Sequence, residues 1–105
     1  MIDDAVIADA GRTLAANASS PARVVLFGSR ARGEGGPESD LDFLVIEERV
    51  EGKAAEMVRL RAALPPLGVP VDVVVVSAAD VSRRAGVEGT LIHRALTEGR
   101  VLVEP

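Results

Sequence analysis

The chain has 105 residues, a formal net charge of −4 and 48% apolar residues, which suits one small packed domain over 1–105 and leaves no length for a second core. The acidic balance and the absence of Trp and Tyr argue against a dedicated nucleic-acid binder, which needs basic surface and often stacks bases on aromatic rings; the lack of cysteine excludes disulfides and thiolate metal sites. The start, Met1-Ile2-Asp3-Asp4, lacks the basic and apolar regions of a secretory signal, and the Val73–Val76 run is far too short to span a bilayer, so a cytoplasmic protein with no membrane association is expected.

Residues 3–18 read as a helix, with Val6, Ile7, Ala10 and Leu14 on one stripe and Asp3 and Asp4 at its positive end. Ser19-Ser20-Pro21 breaks it, and the β-branched run 23–27 reads as a buried strand ending at Gly28. Three glycines and a proline make 33–39 a mobile loop. A second strand spans 41–46, apolar at consecutive positions and so covered on both faces. Residues 51–64 form a helix with Met57, Leu60 and Leu64 on one side, stopped by Pro65-Pro66. Residues 69–76 give a third strand interrupted only by Asp72, and Ser77 caps a short helix over 78–84. A last helix, 88–98, is expected to turn Leu91, Ile92, Ala95 and Leu96 inward and to stop at Gly99, before a short strand at 101–103. The order is α, β, β, α, β, α, α, β, an α/β (α+β) class with a small mixed sheet of three to four strands packed with helices.

The chemistry concentrates in GSRARGEGGPESDLDFLVI, Gly28 to Ile46. Glycine after a strand permits a sharp turn with N–H groups close to an anion; Ser29 adds a hydroxyl, and Arg30 and Arg32 add positive charge. This is neither the dinucleotide fingerprint, whose glycine spacing differs, nor a P-loop, since Glu34-Gly35 replaces the Lys-Ser/Thr after the second glycine. Asp40 and Asp42, two apart on a strand, project from the same face, where joint ionisation is disfavoured unless a cation lies between them. Asp72 is the only charge in VPVDVVVV, an expensive position for a carboxylate inside a valine-rich strand unless something compensates it. If the third strand lies beside the second, Asp72 joins the pair. Three carboxylates beside a phosphate-binding turn suit Mg²⁺, which bridges carboxylates and substrate phosphates. Without metal, repulsion should raise at least one of the three pKa values. His93, the only histidine, reads as an ordinary helix-surface residue and Arg83-Arg84 as a solvated helix end; Leu91, Ile92 and Val101 read as core.

Gly28-Ser29, ten intervening residues, Asp40-Leu41-Asp42 and the later Asp72 resemble the signature of the nucleotidyltransferase superfamily that includes DNA polymerase β. The short GSRARG…SDLDFLV form is similar to the minimal nucleotidyltransferase (MNT) domains of prokaryotes, commonly encoded beside a HEPN-domain partner and acting as antitoxins. The resemblance covers about Arg23 to Val76. It implies the polymerase β-like fold, with Gly28, Ser29 and Arg30 on the nucleotide. It also implies Asp40, Asp42 and Asp72 as catalytic ligands of two Mg²⁺ ions, with Asp72 helping to deprotonate the attacking hydroxyl. The implied reaction moves AMP from ATP to a hydroxyl, in the antitoxin subgroup a tyrosine of the HEPN-type RNase toxin. A homo- or hetero-oligomer is left open by the sequence. Two other readings stay open: a non-catalytic binding antitoxin, and a transferase for a small-molecule hydroxyl, which would require an acceptor-holding domain from elsewhere.

Overall fold

The computed structural model describes residues 2–36 and 38–105; Pro37, part of the loop read above as mobile, lies outside them. The first helix, α1, spans Asp4–Asn17, and Asp3 stands just before it as N-cap, its Oδ1 accepting from the Val6 amide at 3.0 Å. Ser19-Ser20-Pro21 then turns the chain into β1, Ala22–Phe27. After the glycine-rich segment, β2 runs Leu41–Glu47, one residue beyond the strand read at 41–46. Helix α2 covers Lys53–Ala63, starting two residues later than expected, because Gly52 holds the extended backbone of an N-cap.

Strand β3 runs Val71–Ser77 rather than 69–76. Gly68 lies in the left-handed region (φ 80°) and Pro70 has no N–H for a ladder, so pairing starts only at Val71. The short α3, Ala78–Arg84, follows at once under the capping box of Ser77 and Asp80. Helix α4 is Leu91–Glu98, three residues shorter at its start than 88–98, since Gly89 (φ 87°) breaks the helix and the Thr90 hydroxyl caps the His93 amide. Strand β4, Arg100–Val103, closes the chain.

The sheet order is β3-β2-β1-β4, with β1 antiparallel to both β2 and β4 and β2 parallel to β3. Alternation along the strands sends side chains to two cores. On one face Val24, Leu26, Leu41, Phe43, Val45, Val73 and Val75 meet Ile7, Ala10 and Leu14 of α1 and Leu60 of α2. On the other, Val25, Leu44 and Val76 meet Ile92 and Ala95 of α4. Each such fully buried Leu, Val or Phe contributes roughly 1.5–3 kcal/mol relative to exposure. Aliphatic packing thus covers both faces of β2, as its unbroken apolar run requires. Two residues read as core are not: Leu91 is 42% exposed and Val101 51%. Starting α4 at Leu91 leaves that first residue on the outer side, and β4 is an edge strand. No helix among the described residues is long and apolar enough to cross a membrane.

Candidate functional site

β1 ends at Phe27, and the chain then makes one helix-like turn. The Arg32 amide donates to the Gly28 carbonyl (3.3 Å), Gly33 to Arg30 (3.2 Å) and Glu34 to Ser29 (3.0 Å). Gly28 has φ 82°, and a methyl group there would overlap the carboxylate of Asp42, which lies across the backbone of the turn. The turn and the second aspartate therefore fit together only with glycine at this position. Gly35 plays a similar steric part farther along: a Cβ would come within 2.7 Å of Ser39 Oγ and 3.2 Å of Ser29 Oγ, so the loop backbone closes over the serine of the Gly-Ser pair. Arg30 Nε donates to the Ser39 carbonyl at 3.1 Å, bracing the two ends of the loop.

The three aspartates come from the two parallel strands. Asp42 is the second residue of β2 and stands directly beside Asp72 of β3, with Phe27 of β1 opposite on its other side. Neighbouring strands lie about 4.8 Å apart, so the two carboxylates share one spot on the sheet face. The Leu41 amide donates to the Pro70 carbonyl (3.0 Å) at the start of the β2–β3 ladder, and Arg61 Nε of α2 ties the Val71 carbonyl to that helix (2.8 Å). Asp42 is half-buried and its pKa is raised, first by burial, then by the charges of Asp72 and Asp40, and by a hydrogen bond shared with Asp72. Asp72 is exposed, at the start of an edge strand, not interior as its valine-rich setting suggested. Asp40 is also exposed, just before β2, near enough for its charge to act on Asp42. Among the described residues no three acidic or histidine side chains converge as a ready-made metal group. The donor chemistry nevertheless fits a hard divalent cation: adjacent carboxylate oxygens, a third carboxylate nearby, and a repulsion that such a cation would relieve.

Beside Asp42 opens a cleft of about 380 Å³ between the Gly28 turn and α4, with Arg32, Leu91, Arg94 and Glu98 on its walls. Arg32 is ion-paired to Glu34 (3.3 Å) and Glu98 (3.4 Å), whereas the side chain of Arg94 has no ion pair or hydrogen bond among the described residues. Arg94 escaped the sequence reading because no local pattern marks it; its place depends on α4 packing back against β1. His93 is half-buried in α4 and belongs to no metal-ligand group among the described residues.

The family model of the nucleotidyltransferase domain matches residues 12–101, and the chain belongs to that family. The mixed sheet and its flanking helices are consistent with the polymerase β-like fold. Among solved structures, a chain from a crystal structure of the toxin-antitoxin with AMP-PNP superposes with a TM-score of 0.60 at 19% identity, covering 93% of this chain and 73% of that one. At that identity the likeness speaks for the fold. No curated protein matches the chain.

Proposed function

We propose that this protein is a single minimal nucleotidyltransferase domain that transfers AMP from ATP to a hydroxyl of a toxin partner, a tyrosine of a HEPN-type RNase, and so acts as its antitoxin in the cytoplasm. The observation that carries the reading is Asp42 and Asp72 side by side in register, with the Asp42 carboxylate against the Gly28–Ser29 turn. The toxin–antitoxin neighbour, solved with AMP-PNP, supports the choice of partner and nucleotide.

In this reading the Gly28–Ser29 turn cradles the triphosphate, with Arg30 bracing the loop and Arg94 reaching the β- and γ-phosphates from across the cleft. Asp40, Asp42 and Asp72 would hold two Mg²⁺ ions, which supply charge neutralisation on the phosphates and lower the barrier to attack. The acceptor oxygen forms a bond to the α-phosphorus, the bond to the β-phosphate oxygen breaks, and pyrophosphate leaves. Asp72, exposed at the strand start, takes the hydroxyl proton. The chain contains no tyrosine, so a tyrosine acceptor must come from another chain.

Intact-mass spectrometry of the neighbouring gene product after incubation with this protein, ATP and Mg²⁺ tests the proposal. A gain of one or more AMP units, abolished by Asp42→Asn, is expected; normal transfer by that variant overturns the catalytic assignment. One observation favours a second reading, a binding antitoxin with a non-catalytic site: no three carboxylates among the described residues converge on a metal. Under it, an Asp40→Ala, Asp42→Ala double variant still protects cells from the toxin, and loss of protection rejects it.

A further inference from the structure

At the far end of β2 from Asp42, Glu47 is fully buried, and neither carboxylate oxygen has a hydrogen-bond partner. Five residues along a strand span about 17 Å, and the alternation puts Glu47 on the α1–α2 face and Asp42 on the other, so this is a separate place. Its nearest charged neighbour is Glu56 of α2, a second buried carboxylate that is already satisfied. Glu56 accepts from the Ser19 amide (3.0 Å), the Ser19 hydroxyl (3.0 Å) and the Arg59 guanidinium (2.7 Å). The Ser20 hydroxyl is committed to the Arg49 carbonyl at 2.9 Å. The Ser19 and Ser20 hydroxyls and the Arg59 guanidinium are thus engaged elsewhere. Glu47 belongs to the wall of a pocket of about 750 Å³ at the carboxyl ends of β2 and β3, a wall that also carries Glu48, Glu51 and Glu56 against a single cation, Arg49, among the described residues. That volume is in the range of small-molecule sites.

We propose that this pocket binds an organic cation, a primary ammonium or guanidinium group, which donates its N–H bonds to Glu47. The class follows from what the wall lacks. A buried carboxylate without donors needs several, and ammonium and guanidinium groups offer three and five. A metal ion would need converging ligands, and no such group of three exists among the described residues. An anion would meet four glutamates. In the empty pocket a proton takes the cation's place: burial, then the neighbouring Glu56 carboxylate, push the Glu47 pKa up to about 7. Binding should therefore release that proton and tighten as the pH rises towards and past 7.

Isothermal titration calorimetry of the whole chain at pH 6 and pH 8 tests this, with putrescine and agmatine as free cations and Nα-acetyl-lysine amide and Nα-acetyl-arginine amide as stand-ins for a partner's side chain. At least one probe should bind saturably, about tenfold tighter at pH 8 than at pH 6 as one proton is released. Preference for the free cations assigns a metabolite, and preference for the amides assigns a protein side chain. Glu47→Gln, nearly isosteric, should weaken binding at least tenfold, Asp42→Asn should leave it unchanged, and the rim variant Glu48→Gln, Glu51→Gln should weaken it severalfold without touching the core. No saturable binding by any probe, equal affinity in Glu47→Gln, or saturable Mn²⁺ binding abolished by Glu47→Gln would each overturn the proposal. None of these readouts depends on nucleotidyl transfer.

Discussion

At Gly28 the backbone takes φ 82° and the Asp42 carboxylate fills the space a side chain would need, so two independent penalties meet at one residue. Gly28→Ala should lose about 1–2 kcal/mol from the left-handed conformation alone, read as a drop of roughly 4–8 °C in Tm per kcal/mol. It should also displace Asp42 and abolish AMP transfer; an active Gly28→Ala enzyme would show that the turn and the carboxylate are not coupled. Arg94 makes a different prediction, because its guanidinium has no partner to lose among the described residues. Arg94→Ala should leave Tm unchanged and raise KM for ATP about 10- to 100-fold, the worth of a charged hydrogen bond of roughly 1.5–3 kcal/mol, with Arg94→Lys restoring part of it. Unchanged KM removes Arg94 from the nucleotide site. The contrast between these residues shows what could be read in advance. Asp40, Asp42 and Asp72 stood out as charges at period two, or alone, in β-branched runs, and the strand register brings Asp42 and Asp72 together. Arg94 carries no such local mark, and Glu47 lies one residue past the strand read at 41–46, its burial visible only in the folded chain.

Among the elements, the clearest local determinants are caps. Ser77 and Asp80 satisfy each other's backbone amides at the start of α3, at 3.1 Å and 3.0 Å, and Asp80 is held further by Lys53 (2.5 Å) and Arg83 (2.6 Å). Lys53, the only lysine, thus links the start of α2 to the start of α3. Lys53 first, then the Ser77 amide, lower the Asp80 pKa well below the usual carboxylate range. Its stabilising share is present above the ordinary value of 3.8 and is lost as pH falls below it. Ser77→Ala should cost about 1 kcal/mol, measured by urea denaturation at pH 7; a loss within error would mean that β3 alone orients α3. All eight elements were legible from period and breakers, because glycine, proline and Ser-rich turns interrupt the chain at short intervals. Their ends were less so. Pro70 delays β3 through a missing donor, and Gly89 delays α4 through its φ, shifting the helix start so that Leu91 faces outward. Which strand sits at an edge was not written locally at all, and that misassigned Asp72 to the interior.

For the molecule as a whole, the acidic residues pull stability in opposite directions with pH. Burial opposes ionisation of Glu56, but the neighbouring Glu47 carboxyl, the Arg59 guanidinium and the Ser19 donors outweigh this and lower its pKa to about 2, so it stabilises above 4.5 and that share is lost as pH falls towards 2. Glu47 is the reverse: raised from 4.5 to about 7, its share is complete below 4.5 and is lost as pH rises through 7. Asp42, also raised, acts in the same sense as Glu47 but is only half-buried, so water screens much of its effect. The sum places maximal stability on the acid side of neutrality, below the range usual for small domains. Between pH 5 and 7 the unfolding free energy should fall, with a limit of about 1.4 kcal/mol per pH unit for the single proton of Glu47. Urea denaturation at pH 5, 6, 7 and 8 measures this directly. Glu47→Gln has no charge to lose there and should flatten the descent, while Asp42→Asn should remove only a minor part. Parallel profiles for wild type and Glu47→Gln would mean that Glu47 stays ionised in the fold, and the loss near neutrality would then have to come from Asp42 and its neighbours at the other end of the sheet.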